Sequence, residues 1–263
     1  MITLSTLLTQ ATYYYGNAGD YYYNNSASMY SGVTLIGFAI LLLTMVLGGV
    51  VQMGLKSAFS RYAQEPAPLT GADAARLMLR QNGLHNVQVT CTPGQLTDHY
   101  NPLDRTVNLS ESVYHEASVA AMAVAAHECG HAVQHACAYP WLGLRSSLVP
   151  IVNLGSRLGQ IVLMAGFILL AMGSGTLVAW IGLALYATTT LFALVTLPVE
   201  FDASRRALAW LEQSGLATRA MHGQAGTALR WAAMTYVAAA LSSLAMLLYY
   251  ALILLSRANS NRE

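Results

Sequence analysis

The sequence predicts a mainly α-helical membrane protein with four spans and, between them, a polar part that carries a small β-sheet. Three observations predict it. Charged residues make up 10% of the 263, against about 25% in soluble domains. The mean hydropathy is +0.45. The charges also cluster, leaving uncharged runs long enough to cross about 30 Å of hydrocarbon. Lys+Arg 13 against Asp+Glu 12 gives a formal net charge of +1, which excludes the basic face of a nucleic-acid binder.

Residues 1–32 are polar and Tyr-rich and hold no Lys or Arg. They lack the positive start of a cleavable signal peptide and read as a non-cytoplasmic tail. Residues 33–55 form the first span. Residues 56–146 follow as the first polar part. There Thr70 and Asp73 make a capping box that opens a helix through Arg80, with Gly83 as its stop and Ala75, Met78 and Leu79 as its buried stripe. Val87-Gln88-Val89 alternates like a strand, and Pro93-Gly94 marks a turn. Leu96 to Tyr100 and Arg105 to Leu109 are two more strands, joined across Asn101-Pro102-Leu103-Asp104. An alanine-rich helix then runs from Ser112 or Ser118 to Ala138. Residues 147–172 and 176–198 are the second and third spans, divided at Gly173-Ser174-Gly175, with Pro150 in the opening turns. Residues 199–230 are polar again, 231–256 form the fourth span, and 257–263 are a tail. Gly and Ala in the spans suit close helix contacts and allow self-association.

Orientation follows from the basic residues. Nothing positive precedes the first span, whereas Lys56, Arg61, Arg76, Arg80, Arg105, Arg145, Arg205, Arg206, Arg219 and Arg230 all fall in the two polar parts. The positive-inside rule puts both parts in the cytoplasm and both termini outside. Cys91, Cys129 and Cys137 then read as free thiols in a reducing compartment.

Within the alanine-rich helix stands His127-Glu128-Cys129-Gly130-His131. Residues 127 and 131 are one turn apart, so both imidazoles leave the same face and reach one Zn²⁺ at about 2.0–2.1 Å. Glu128 points some 100° round the helix. There its carboxylate meets a metal-bound water without occupying the metal. The same pentapeptide arises by chance as polar residues on a solvated face. Here Val119 to Ala126 is almost wholly apolar, which predicts a buried helix, and buried His and Glu need partners. One Zn²⁺ per chain is the predicted cofactor.

A third protein ligand is required. His135 fails, because positions 127, 131 and 135 spread over about 12 Å of helical rise. Cys129 leaves the wrong face, and the extension H-x-x-G-x-x-H is broken by Gln134 and Cys137. Glu200 and Asp202 are the only carboxylates between Glu128 and Glu212, and they emerge from the third span on the side of the His127 helix. Glu200 is the better candidate, against the plain alternative of a juxtamembrane charge.

Several segments together resemble a known family. Leu69-Thr70-Gly71-Ala72, Leu96 to Pro102, Val124 to Gln134, Leu197 to Ser204 and Thr235 to Ala240 look like the successive blocks of the YugP-type neutral zinc metallopeptidases, bacterial membrane proteins. The likeness runs from about Lys56 to Leu241. That family is similar in turn to the membrane gluzincins, among them the HtpX heat-shock protease and the CAAX prenyl protease. The resemblance implies Glu200 as the third zinc ligand. It also exposes a departure: the gluzincin pattern has Asp four residues after that Glu, to orient a zinc-bound His, and here the position is Ser204. Either Ser204 substitutes, or Asp202 serves another purpose such as pairing with Arg205 or Arg206.

The resulting expectation is a zinc metalloendopeptidase of the bacterial inner membrane with its site on the cytoplasmic side. Zinc lowers the pKa of a bound water, and Glu128 acts as general base and then acid. The oxyanion needs a further donor, for which His99, Tyr100, Arg205, Arg206 and His222 are candidates. Asp98, His99 and Tyr100 form a strand that could pair with an extended peptide or protein substrate, membrane proteins included. Two rival classes stand against it. An idle zinc-stabilised scaffold or chaperone-like protein has no need of Glu128, and a transporter would show ionisable residues inside its spans.

Overall fold

The computed structural model describes Gly32 and residues 35–260, so the Tyr-rich segment and the extreme C-terminus lie outside the described residues. Among the described residues, helix α1 (Leu35–Tyr62) is the first of four helices long and apolar enough to cross a bilayer. Its Leu35, Phe38, Leu42 and Met45 are exposed on the protein surface, as lipid-facing side chains are. Helix α2 (Gly71–Gln81) begins at Thr70, whose Oγ1 accepts the Asp73 N–H at 3.1 Å and donates to the Asp73 carboxylate at 2.8 Å. The cap satisfies a first-turn donor that would otherwise lack a partner. Past the helix, Gly83 takes a φ of +71°, which glycine adopts without a Cβ clash.

Strands β1 (Gln88–Thr92), β2 (His99–Asn101) and β3 (Thr106–Ser110) form one sheet in the order β1-β3-β2. β1 runs parallel to β3, with Val89 opposite Val107, and β2 runs antiparallel to it, with Tyr100 opposite Val107. The β2–β3 turn is closed by Asn101. Its Oδ1 accepts the Leu103 N–H at 3.0 Å and its Nδ2 donates to Asp104 at 2.8 Å. Central β3 sinks Val107 and Leu109 into the core, while β2 lies at the edge of the sheet.

A short helix, α3 (Glu111–His115), precedes α4 (Val119–Ala136). The two possible starts in the sequence are thereby two helices, and α4 is opened by Ser118, whose Oγ accepts the Ala121 N–H at 3.2 Å. Helices α5 (Pro140–Ala171), α6 (Thr176–Gln213) and α7 (Arg219–Ser260) complete the chain. α5 begins at Pro140, seven residues ahead of the expected Ser147, because proline's fixed φ suits a first helical position. Apolar composition marks where a helix meets lipid, not where the helix begins.

Length explains how these helices serve the site. At 1.5 Å per residue the 38-residue α6 is about 57 Å long, nearly twice the hydrocarbon thickness. It therefore continues past Pro198 as a solvent-side helix. In the membrane half, α5 and α6 pack at glycines: a Cβ on Gly182 would stand 2.4 Å from the Leu163 backbone, and one on Gly166 the same distance from Ala179 Cα. Outside it, Met78 and Leu79 of α2, Leu109 of β3, Met122 and Ala126 of α4, Leu211 of α6 and Leu229 of α7 share one core.

Candidate metal centre

The two helices that carry the polar cluster cross at Gly130 of α4 and Ala203 of α6. A Cβ on Gly130 would stand 2.6 Å from the Ala203 carbonyl oxygen, so only glycine permits this approach. The crossing brings Glu200 and Ser204, which flank Ala203, over His127 and His131.

Nε2 of His127 lies 3.3 Å from Glu200 Oε2, and Nε2 of His131 lies 3.6 Å from the same atom. One donor atom from each of the three residues falls within 4.8 Å of the others, a cluster that could hold a metal ion. The residues fit zinc: tetrahedral bonds of about 2.0–2.1 Å put neighbouring donor atoms roughly 3.3–3.4 Å apart. The imidazole planes are 86° apart with centroids at 4.8 Å, so the rings converge edge to face instead of stacking. Glu200 is 3% exposed. A carboxylate that buried needs cationic partners.

Each histidine is held from behind by the nitrogen that does not face Glu200. Nδ1 of His127 is 3.1 Å from Ser204 Oγ, and Nδ1 of His131 is 3.0 Å from Gln134 Oε1. Gln134 in turn donates to the Val199 carbonyl at 2.7 Å and to Asp202 at 3.0 Å. Such partners fix the ring orientation and tautomer of metal-ligating histidines. Burial by itself would lower the His131 pKa, but the Glu200 and Glu128 carboxylates and Gln134 raise it on balance. Cys129 faces away, its Sγ 3.6 Å from the Ala75 carbonyl, and burial together with Glu128 pushes its thiol well up. All three cysteines are free.

A cavity of about 830 Å³ opens over the cluster. Asp98, His99 and Tyr100 line one side, Arg145 and Phe192 another, and Glu128, Glu200 and Tyr236 lie within it. Glu128 is buried beside the two histidines. The structure brings His99 and Tyr100 to this cavity but not Arg205, Arg206 or His222. Arg205 and Arg206 both pair with Asp202, the latter at 2.6 Å through Nε, and His222 Nε2 meets the Leu208 carbonyl at 3.2 Å. His135 stays out of the cluster, with Nδ1 2.8 Å from the Tyr100 hydroxyl. The Asp98 carboxylate accepts from the Ser110 N–H at 2.7 Å and from its hydroxyl, and so anchors β2 to β3.

Sequence reasoning gave Gln134, Arg145 and Tyr236 no role in the site. Gln134 had one readable signal: three residues past His131, it shares that helix face. Arg145, whose Nη1 is 3.9 Å from Glu200 Oε1, counted only as an orienting charge. Tyr236 entered only as part of the Thr235 to Ala240 block, with no role assigned.

Fold and site together define a membrane protein with a candidate His-His-Glu metal centre. The chain belongs to the neutral zinc metallopeptidase family: the family model described as "Putative neutral zinc metallopeptidase" matches residues 37–255. It is also 41% identical over 212 residues to the "Putative membrane protease YugP" of Bacillus subtilis (strain 168), covering 80% of this chain and 92% of that protein. No solved structure matches.

Proposed function

We propose that the protein is a zinc-dependent endopeptidase of the bacterial inner membrane, cutting peptide or protein substrates on the cytoplasmic side. The observation that carries this reading is the convergence of His127, His131 and Glu200 with Glu128 beside them in a cavity large enough for a peptide. His127, His131 and Glu200 would hold the ion. Zinc in that place supplies a Lewis acid that polarises the scissile carbonyl and makes water acidic enough to attack near neutral pH.

The protein's own groups do the rest. Glu128 takes the proton of the attacking water and passes it to the leaving amine. Its place on the helix next to the ligands, and not among them, suits a base. Ser204 and Gln134 keep the ring nitrogens of His127 and His131 aimed at the ion. Tyr236 and Arg145 lie against Glu200 and supply donors toward the developing oxyanion. Asp202 works through Gln134, and His99 and Tyr100 present the β2 edge to an extended chain.

Glu128→Gln tests the reading. The variant keeps its zinc, measured by elemental analysis, while hydrolysis of a casein or peptide-library substrate falls at least about 10²-fold. Loss of zinc along with activity would make Glu128 a ligand and overturn the assignment.

A further inference from the structure

Two cavities meet at Glu128, Glu200 and Tyr236. The larger follows β2 towards Leu103 and is walled by α5. The smaller, about 210 Å³, starts from Leu96 on the other side of β2 and is walled by Leu55 and Phe59 of α1, Val124 of α4, and Leu229 and Ala233 of α7. It continues into about 470 Å³ more space along α1. Three further polar groups in its wall are engaged elsewhere. Asp98 is bound to Ser110, Ser204 faces His127, and the Thr235 hydroxyl donates to the Ala232 carbonyl at 2.6 Å. Apart from His127, Glu128, Glu200 and Tyr236, which it shares with the reaction site, what lines the space is apolar.

We propose that this smaller cavity receives a large apolar side chain, of leucine or phenylalanine type, from the substrate residue next to the bond to be cut. The proposal rests on the peptidase reading and adds the chemistry of the substrate. Three observations carry it. The cavity shares His127, Glu128 and Glu200 with the reaction site, so a side chain lodged there lies beside the scissile bond. β2 is an edge strand, and an extended chain along it would have Leu96 at one end and Leu103 at the other. Those leucines are 70% and 92% exposed, and Leu96 holds a φ of +56°, a left-handed conformation costly to a non-glycine residue.

The cavity also sits where membrane meets solvent. Leu55 and Phe59 are in the last turns of α1, the helix that crosses first, and Leu229 and Ala233 lie where the apolar run of α7 begins. An apolar pocket discriminates between side chains by about tenfold or more when the difference is several methylenes.

The test uses the full-length, zinc-loaded Glu128→Gln protein in detergent, so that peptides bind without being consumed. Fluorescein-labelled Gly/Ser hexapeptides carry one central Ala, Leu or Phe, and Kd is read by fluorescence polarisation. Leu and Phe peptides bind about tenfold tighter than Ala. Adding Ala233→Leu fills the cavity and abolishes that preference, with zinc content and melting temperature as checks on folding. Adding Phe59→Ala enlarges it and moves the preference to a Trp peptide. Equal binding of the three peptides, absence of binding, or a preference that survives both substitutions overturns the proposal. If the Leu peptide binds as described but the unsubstituted protein does not cut it, the peptidase reading fails and the pocket stands.

Discussion

Replacing Gly130 with alanine adds one methyl group at the point where α4 crosses α6. The new Cβ would stand 2.6 Å from the Ala203 carbonyl oxygen and 3.1 Å from its Cα, where ordinary contact begins at 3.4 Å. Relief requires the helices to part by about 0.8 Å, since both offending atoms are backbone and cannot rotate away. Glu200 and Ser204 ride on the same helix and move with Ala203. The 3.3 Å separation of His127 Nε2 from Glu200 Oε2 then widens to about 4 Å, whereas zinc sites tolerate only about ±0.2 Å in each bond.

Overpacking costs about 1–3 kcal/mol, partly offset by the gain of about 1 kcal/mol from placing Ala for Gly in a helix. The net loss is small beside the usual 5–15 kcal/mol of a folded domain. Gly130→Ala therefore folds and binds zinc about 10–100-fold more weakly, the scale of losing an outer partner of a ligand. The assay is competition with a chromophoric chelator on the purified protein, with Gly223→Ala as control because its Cβ meets nothing within 4 Å. Undiminished zinc affinity in Gly130→Ala would refute the claim that this crossing assembles the site.

Three more outcomes are expected. Glu200→Ala strips most of the zinc from the purified protein, whereas His135→Ala leaves it, and Asp202→Ala weakens binding less than Gln134→Ala because Gln134 keeps the Val199 carbonyl; metal analysis of the four variants side by side checks the order. Zinc affinity falls as pH drops, because His131 must lose its proton to bind and its pKa is raised from the ordinary 6.5. In the metal-free protein the sign reverses: protonated His131 is stabilised by Glu200 and Glu128 at low pH, and that stability is lost as pH rises through the raised pKa, which melting curves with and without chelator read out. A reporter fused after Arg80 behaves as cytoplasmic and one at Gly19 as external; the reverse pattern would discard the sidedness.

What the sequence made legible was local. The four apolar runs, the Thr70–Asp73 cap, the Asn101–Asp104 turn and the spacing of His127 and His131 each depend on residues a few positions apart. Features set by the crossing of distant helices were not legible. Gln134 interrupts one familiar ligand extension and so looked like a mere absence, yet it holds His131 and reaches α6. Arg145 looked like a charge that orients the chain, because nothing local tells that α5 leans Arg145 towards Glu200. Tyr236 is one apolar-run tyrosine among several until α7 is laid beside α4.

Asp202 and Ser204 on α6 back the two histidines in different ways. On an ideal helix Asp202 sits about 200° from Glu200, the wrong side to meet His127, and Ser204 occupies the position from which a carboxylate would. The two roles are divided in this chain. Ser204 meets His127 directly at 3.1 Å, whereas Asp202 meets Gln134, and Gln134 meets His131. A carboxylate pointing back across the α4–α6 contact is buried at 4% exposure and needs compensation, which Arg205 and Arg206 supply. Desolvation would raise the carboxyl's pKa, but those guanidinium groups and Gln134 hold it below its usual range. A negative charge behind Gln134 turns its amide so that Oε1 faces His131. That orientation makes Nδ1 of His131 the donor and leaves the Nε2 lone pair free for an ion that His127, His131 and Glu200 would hold.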